Sequence, residues 1–171
     1  MNNAVRSYQE LYSAEPSYTA FTPYRICPIG AHTDHQLGKV TGFAIDKGIR
    51  IACSPTADGT VELTSLQFHK KVTFSLHDVP GIRQGDWADY LRGASIALAQ
   101  SHELHIGMRG VIDGELPIGG LSSSAAVTIT YLTALCRLNG ILLTEPEMIR
   151  TARAAENNYV GVACGKLDQS C

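Results

Sequence analysis

The spacing of apolar and polar residues divides the chain into a strand-rich first half and a helical second half. Apolar residues recur at helical spacing within residues 1–17, which predicts a short leading helix that ends before Pro16. Residues 18–26 then alternate apolar and polar side chains with aromatic and threonine content, a pattern that predicts a strand. Proline and glycine interrupt this pattern, so residues 27–39 are predicted to form a polar loop.

Four further short runs favour β-structure and are separated by turn signals. They cover residues 40–44, 49–54, 61–65 and 72–76 and predict a sheet that meanders in sequence order. A broad apolar stripe over residues 86–104 predicts a helix packed on this sheet. Residues 110–112 predict one more strand.

The second half of the chain shows helical periodicity. From Ser122 the apolar positions recur every three to four residues and predict a long helix that stops at Gly140. The length of this pattern outweighs the β-branched run at residues 127–130. Residues 144–147, Thr-Glu-Pro-Glu, predict the start of another helix that continues through residues 148–159.

Composition and charge narrow the class of protein. With 171 residues, 44% hydrophobic and 18% charged, the chain has the size and composition of a single globular domain with one core. Its net charge of -2 gives no basic excess for binding nucleic acid. No apolar run approaches the ~20 residues of a membrane span, and the N-terminus lacks a signal-peptide pattern. We therefore expect a soluble cytoplasmic protein that binds neither nucleic acid nor membranes.

The cysteines and the chain end add two expectations. The five cysteines are widely spaced and include no CxxC pair, which argues against a disulfide framework or a cysteine zinc site and favours reduced thiols. The chain stops at residues 168–171 with no helix cap or polar tail, which favours a truncated chain.

The first stretch with the makeup of a binding site is LPIGGLSSSAAV, residues 116–127. A proline and two glycines precede three serines, which open directly into the long predicted helix. Glycine lets backbone N–H groups approach an anion closely, and the first turn of a helix offers unpaired N–H donors. The stretch therefore has the features of a phosphate-binding loop. An ordinary helix N-cap, which needs only one of the serines, is the alternative.

The second stretch is PYRICPIGAHTDH, residues 23–35, where charged and imidazole side chains crowd a loop bounded by glycine and proline. Asp34 and His32 could hydrogen-bond the hydroxyls of a sugar. His32 and His35 could instead form a zinc pair, although no further cluster with ligand spacing follows. A solvated turn is the third interpretation.

The third stretch is ENNYVGVACGKLDQ, residues 156–169, in which one carboxylate precedes a glycine-containing loop and a second carboxylate. Such a pair could divide the work of holding a metal ion and acting as a base. An exposed glutamate followed by an aspartate that caps the next helix is the alternative.

In this order, the three stretches resemble the motifs of the galactokinase family within the GHMP kinase superfamily. Arg25 to Asp34 resembles the sugar-binding signature PGRxNxIGEHTDY, and PIGGLSSSAA at 117–126 is similar to the phosphate loop. CGKLDQ at 164–169 is similar to the segment CGIMDQ, which carries the catalytic aspartate. The resemblance implies an α+β fold of the ribosomal protein S5 domain 2-like type, a mixed sheet with helices packed on one side.

The resemblance also implies a kinase that transfers the γ-phosphoryl group of ATP to the anomeric hydroxyl of a hexose. Asp168 would take the proton of that hydroxyl, and Arg25 would keep Asp168 ionised and stabilise the transferring charge. Ser124 and Glu156 would hold Mg²⁺. The ATP phosphates would bind at Pro117, Gly119, Gly120, Leu121, Ser122, Ser123 and Ser124, and the sugar at Arg25, Ala31, His32, Asp34 and Asp168.

By the same resemblance, residues 1–171 form one GHMP kinase N-terminal domain. It comprises a sugar-binding segment at 18–46, the phosphate loop at 116–127 and a catalytic segment at 156–171. The C-terminal domain that completes the cleft would be absent, so the isolated chain is expected to be weakly active or inactive and to self-associate through the exposed interface. A non-catalytic sugar and ATP sensor of this family is the alternative function.

Four positions depart from the galactokinase pattern. Ala31 stands where the family has glutamate, Tyr24 where it has glycine, His35 where it has tyrosine and Lys166 where it has isoleucine. The family's glutamate reaches the hydroxymethyl end of the sugar, so its absence removes a negative charge there and favours a sugar with a carboxylate at C6. The motif is more similar to that of galacturonokinases, and both galactose and galacturonate stay open as substrates.

Overall fold

A computed structural model describes residues 2–30, 33, 36, 38–116 and 120–170. Its strands are β1 (Tyr18–Ile29), β2 (Thr41–Thr56), β3 (Thr60–Ser65), β4 (Lys70–Ser75) and β5 (Gly107–Gly114). Its helices are α1 (Asn3–Tyr12), α2 (Asp89–Ala99), α3 (Ser123–Leu138), α4 (Glu145–Ala154) and α5 (Leu167–Ser170), and a π-helix, Ala155–Val160, continues α4. The α+β class expected from the sequence is confirmed.

The five strands form one mixed sheet in the order β1-β2-β5-β3-β4. β5 runs antiparallel to β2 and parallel to β3, while β1 with β2 and β3 with β4 pair antiparallel. The predicted meander is therefore wrong, because β5 lies between β2 and β3. This placement depends on pairs that are distant in sequence, such as Ala52 with Val111, and the local pattern of residues carries no information about them.

The first two strands are longer than predicted. β2 is continuous across residues 45–48, where the sequence indicated a break. The register between β1 and β2 shifts between Pro23 and Arg25, so the turn-like residues form an irregularity within the strand instead of reversing the chain. β1 also continues to Ile29 and includes the start of the predicted loop at residues 27–39.

Helices cover both faces of the sheet, which corrects the expectation that they pack on one side. Ile51 and Cys53 of β2 point into the main core with α2 and α3, and α4 packs against those two helices. Ala52, between them, points to the opposite face, where it contacts Ala4 and Tyr8 of α1. The Tyr8 hydroxyl donates a hydrogen bond of 2.7 Å to Ser54 Oγ and fixes α1 there.

Two further features concern membrane-spanning helices and the cysteine thiols. Within the described ranges, the helices are too short or too polar to cross a lipid bilayer. The four described cysteines, Cys27, Cys53, Cys136 and Cys164, carry free thiols.

Candidate active site

Arg25 and Asp168, which are 143 positions apart, form an ion pair beside the start of α3. Arg25 lies in β1 and its side chain is 10% exposed, whereas the Asp168 side chain, in the first turn of α5, is 27% exposed. Nη2 of Arg25 donates to Oδ1 of Asp168. Nε of Arg25 is buried and has no hydrogen-bond partner among the described residues. The structure thus brings the two predicted catalytic residues together, with the carboxylate on the accessible side.

Glu156 is a buried carboxylate close to this pair. It lies in the π-helix, which directs its side chain inward, and only 2% of the residue is exposed. Its Oε1 accepts a hydrogen bond of 2.9 Å from Nε2 of Gln169, and it also shares a hydrogen bond with the Ser124 hydroxyl. Burial raises the pKa of the Glu156 carboxyl, while these two hydrogen bonds act in the opposite direction. The alternative of an exposed glutamate is therefore wrong.

Three residues to which the sequence analysis assigned no role connect to Glu156 through hydrogen bonds and a sulfur contact. Gln169 is buried, and its Nε2 also lies 3.6 Å from the sulfur of Cys164. The backbone N–H and the thiol of Cys164 both donate to Oδ1 of Asn157, at 3.0 and 3.1 Å. Burial raises the pKa of the Cys164 thiol to about 11, so it remains a protonated donor at neutral pH. Only the position of Gln169 beside Asp168 in the third stretch could have indicated its role.

The described part of the predicted phosphate loop runs from Gly120 into α3. The carbonyl oxygen of Leu121 accepts a hydrogen bond of 3.2 Å from the backbone N–H of Arg25. Ser122 has a φ of 60° and its side chain makes no capping bond. Its hydroxyl is buried without a hydrogen-bond partner among the described residues. A serine cap does not explain this arrangement. Pro117 and Gly119 lie outside the described residues.

An apolar cavity of about 160 Å³ adjoins the start of α3. Ser123 and Ser124 form one side of it, and Phe68, Trp87 and Tyr90 supply aromatic walls. The rings of Phe68 and Trp87 are nearly parallel, at 10°, with centroids 6.2 Å apart. The sequence pattern had assigned Trp87 and Tyr90 to the buried stripe of a helix, and nothing in it marked Phe68, which lies in the turn between β3 and β4.

The predicted sugar-binding residues are described only in part. Ala31, His32, Asp34 and His35 lie outside the described residues, so the sugar contacts and the zinc pair stay predictions. Within the described ranges, no three His, Cys, Asp or Glu side chains group together as a metal site.

Two of the departures from the galactokinase motif are described. Tyr24 is 1% exposed and packs in the main core, so its side chain does not face an open pocket. Lys166 is exposed to solvent.

Comparison with known proteins gives this geometry a context. Residues 89–171 match the family model described as GHMP kinases N terminal domain, and residues 6–55 match the one described as Galactokinase galactose-binding signature. The chain belongs to the galactokinase family of the GHMP kinases. Arg25 falls within the second match, and Ser124, Glu156 and Asp168 fall within the first.

Relatives within this family are similar along most of the chain. Over 167 residues, the chain is 40% identical to the galacturonokinase of Arabidopsis thaliana, and the match covers 86% of this chain and 39% of the relative. It is 39% identical over 150 residues to the galactokinase of Thermococcus kodakarensis, with 87% of this chain and 42% of the relative covered.

A solved structure shows the same fold. The galactokinase of Lactococcus lactis, crystallised with galactose, superposes on this chain with a TM-score of 0.87 at 30% sequence identity. The superposition covers 96% of this chain and 44% of the Lactococcus lactis chain. The chain thus spans roughly two fifths of the length of the family members that it matches.

Proposed function

We propose that this protein is a sugar 1-kinase, which transfers the γ-phosphoryl group of ATP to the anomeric hydroxyl of galactose or a galactose-like sugar such as galacturonate. The observation that carries the proposal is the ion pair of Arg25 and Asp168 beside the N-terminus of α3. This arrangement combines an accessible carboxylate, a cation and a set of backbone donors within one site. The names of the relatives, galacturonokinase and galactokinase, support the same reaction class.

The ATP phosphates would bind at the loop that opens α3. The unpaired N–H groups of the first helical turn and the helix dipole favour an anion there. The Ser122 hydroxyl, buried without a partner among the described residues, is a further donor for a phosphate oxygen. The adjoining cavity, with Phe68, Trp87 and Tyr90 in its walls, would take the adenine base. Pro117 and Gly119 complete the proposed loop.

Mg²⁺ fits the oxygen donors of Ser124 and Glu156. Mg²⁺ commonly binds one or two protein oxygen ligands together with substrate phosphates, and these two side chains already share a hydrogen bond. A buried carboxylate such as Glu156 is costly without a compensating positive charge, which the ion would supply. When bound, Mg²⁺ would neutralise charge on the phosphates of ATP.

The transfer step itself would depend on Asp168 and Arg25. Asp168 accepts the proton of the sugar hydroxyl as that oxygen bonds to the γ-phosphorus and the bond to ADP breaks. Arg25 orients Asp168 and stabilises the negative charge that spreads over the transferring group. The sugar would be held by the segment at 18–46, with Ala31, His32 and Asp34 as contacts.

The identity of the acceptor would depend mainly on Ala31. Tyr24, the other departure in this motif, is buried in the core and does not widen a pocket. An alanine in place of the family's glutamate leaves room and removes a negative charge near C6 of the sugar. We place the enzyme in the cytoplasm, where ATP is available and its thiols stay reduced.

Sugar phosphorylation by the complete natural protein tests this proposal. The protein is supplied with MgATP and, in separate reactions, with galactose or galacturonate, and sugar phosphate is measured by mass spectrometry. Turnover of at least one of the two sugars is expected. Turnover of neither, with ATP bound normally, would instead indicate a sensor or a different acceptor.

A further inference from the structure

A side chain outside the three predicted stretches holds one end of the phosphate loop. Gln67 lies in the turn between β3 and β4, and its Nε2 donates a hydrogen bond of 2.6 Å to the carbonyl oxygen of Leu116. Leu116 directly precedes residues 117–119, which lie outside the described part of the chain. The turn is itself fixed, because the backbone N–H of Leu66 donates to the carbonyl oxygen of Ile112 at 3.0 Å. The amide of Gln67 therefore contacts the loop from a turn that is itself hydrogen-bonded to β5.

The sheet leaves space for this amide at Gly114. A Cβ atom on Gly114 would lie only 2.5 Å from Oε1 and 2.7 Å from Cδ of Gln67. Any larger residue at this position would push the amide away from Leu116. The close approach of Gln67 to β5 therefore depends on glycine at this point.

The other end of the loop is held in a similar way. The carbonyl oxygen of Leu121 accepts a hydrogen bond from the backbone N–H of Arg25. Carbonyl oxygens carry partial negative charge and repel phosphate oxygens, so an anion site requires that they point elsewhere. At Leu116 it is the side chain of Gln67 that holds the oxygen in place. Without that donor, the peptide after Leu116 is free to rotate and present its oxygen to the phosphates.

The same turn also contributes to the aromatic cavity. Gln67 and Phe68 both line it, as do Ser123 and Ser124. One short turn thus forms a wall of the proposed base site and anchors the proposed phosphate site.

We propose that Gln67 is a positioning residue for the nucleotide phosphates, acting through its hydrogen bond to the carbonyl oxygen of Leu116. This inference rests on the proposed function, because it assigns the loop to the phosphates of ATP. It predicts that loss of the Gln67 donor weakens binding of the phosphates and leaves binding of the base unchanged.

Calorimetric titration of the complete natural protein with MgADP and with adenosine tests this role. Gln67→Met keeps the side-chain length without the donor, and Gln67→Glu places an acceptor against the carbonyl oxygen. Loss of a half-buried hydrogen-bond donor predicts a rise in the Kd for MgADP of about three- to tenfold for Gln67→Met and at least about tenfold for Gln67→Glu. The Kd for adenosine should change by less than about twofold in Gln67→Met, because a side chain of the same length still lines the cavity.

Two control variants separate the base site from the loop. Phe68→Leu should weaken adenosine and MgADP alike, because it removes an aromatic wall of the cavity. Gln9→Met, on α1 at the opposite face of the sheet, should change neither.

The thermal unfolding midpoint of each variant shows whether the fold is retained, and Gln67→Met carries the test if Gln67→Glu does not fold. Unchanged binding of MgADP in a folded Gln67 variant would overturn the inference. So would an equal loss of adenosine and MgADP, which would reduce Gln67 to a wall of the cavity. A wild-type protein that binds no MgADP would overturn the proposed function itself, and this inference with it.

Discussion

Among single residues, Asp168 carries the chemical step in the proposed reaction. Asp168→Asn keeps an oxygen acceptor for Arg25 and removes the proton acceptor, so the pair should persist while transfer fails. We expect kcat to fall by about 10²- to 10⁴-fold, the usual contribution of a general base, with MgATP binding nearly unchanged. Steady-state kinetics and nucleotide titration measure the two quantities. Asp78→Asn, at an exposed position outside the proposed site, is the matched control, and near-normal kcat in Asp168→Asn would exclude the assigned role.

Glu156 and Ser124 make a second prediction at this scale. Glu156→Gln removes the only charge that the two side chains offer to Mg²⁺, and Ser124→Ala removes a neutral oxygen. Loss of a charged ligand should raise the Mg²⁺ concentration for half-maximal activity by at least about tenfold, and loss of the hydroxyl should raise it less.

Titration with Mn²⁺ in the presence of ADP, followed by electron paramagnetic resonance, measures metal-ion binding at this site without turnover. Ser101→Ala, an exposed serine after α2, serves as control. Equal Mn²⁺ affinity in Glu156→Gln and the wild type would remove Glu156 from the metal site.

The start of α2 is stabilised by a buried group of charges. Arg92 donates to Asp86 at 2.7 Å and to Asp89 at 2.8 Å, and the carboxylate of Asp89 also accepts the backbone N–H groups of Gln84 and Gly85. These bonds hold a turn before the helix, which explains why α2 begins at Asp89 and not at residue 86 as predicted. Arg92→Met leaves the carboxylates of Asp86 and Asp89, which are largely shielded from solvent, without their positively charged partner.

Arg92→Met should therefore lower the free energy of unfolding by about 3–5 kcal/mol near neutral pH. Hydrogen bonding to Arg92 lowers the pKa of Asp86, so this stabilisation is present above the ordinary range of aspartate and is lost as the pH falls through the lowered value. Denaturant unfolding should show a smaller difference at about pH 3 than at about pH 7. Arg137→Met, exposed near the end of α3, is the control, and a pH-independent difference would contradict the electrostatic explanation.

The contact between α2 and the π-helix depends on Gly93. A Cβ atom there would lie 2.9 Å from the carbonyl oxygen of Ala155 and 3.0 Å from Cβ of Tyr159. Gly→Ala in a helix ordinarily stabilises by up to about 1 kcal/mol, but this overlap should reverse the sign and cost about 1–3 kcal/mol. Denaturant unfolding measures the change. Gly81→Ala, where no heavy atom lies within 4 Å, should be nearly neutral, and a stabilised Gly93→Ala variant would show that the two elements are less closely packed.

Helices were predictable from the sequence where their bonds are local. The Thr144 capping box starts α4 as predicted, because Glu147 accepts the Thr144 N–H at 2.8 Å. The β-branched run in α3 is compatible with a helix, since the hydroxyls of Thr128 and Thr130 donate to carbonyl oxygens four residues earlier. The order of the strands and the change to a π-helix at Ala155 depend on tertiary packing and had no local signal.

At the scale of the whole molecule, the sequence singled out side chains that the fold brings together, but it did not indicate the cavity beside them. Three stretches that are far apart in sequence converge so that Arg25, Ser124, Glu156 and Asp168 surround the start of α3. Their residue types indicated this chemistry through the resemblance to galactokinases. The anchor at Gln67 and one aromatic wall of the cavity, Phe68, come from a turn between two strands, where composition carries no sign of a ligand.

The position of the transferred phosphate tests the central claim most directly. The complete natural protein is incubated with MgATP and whichever of galactose or galacturonate it phosphorylates, and the product is examined by phosphorus and proton nuclear magnetic resonance. A phosphate that couples to the anomeric proton, with one ADP formed per sugar phosphate, is the predicted result. A phosphate on another carbon, or ADP formed without sugar phosphate, would contradict a sugar 1-kinase built around Arg25 and Asp168.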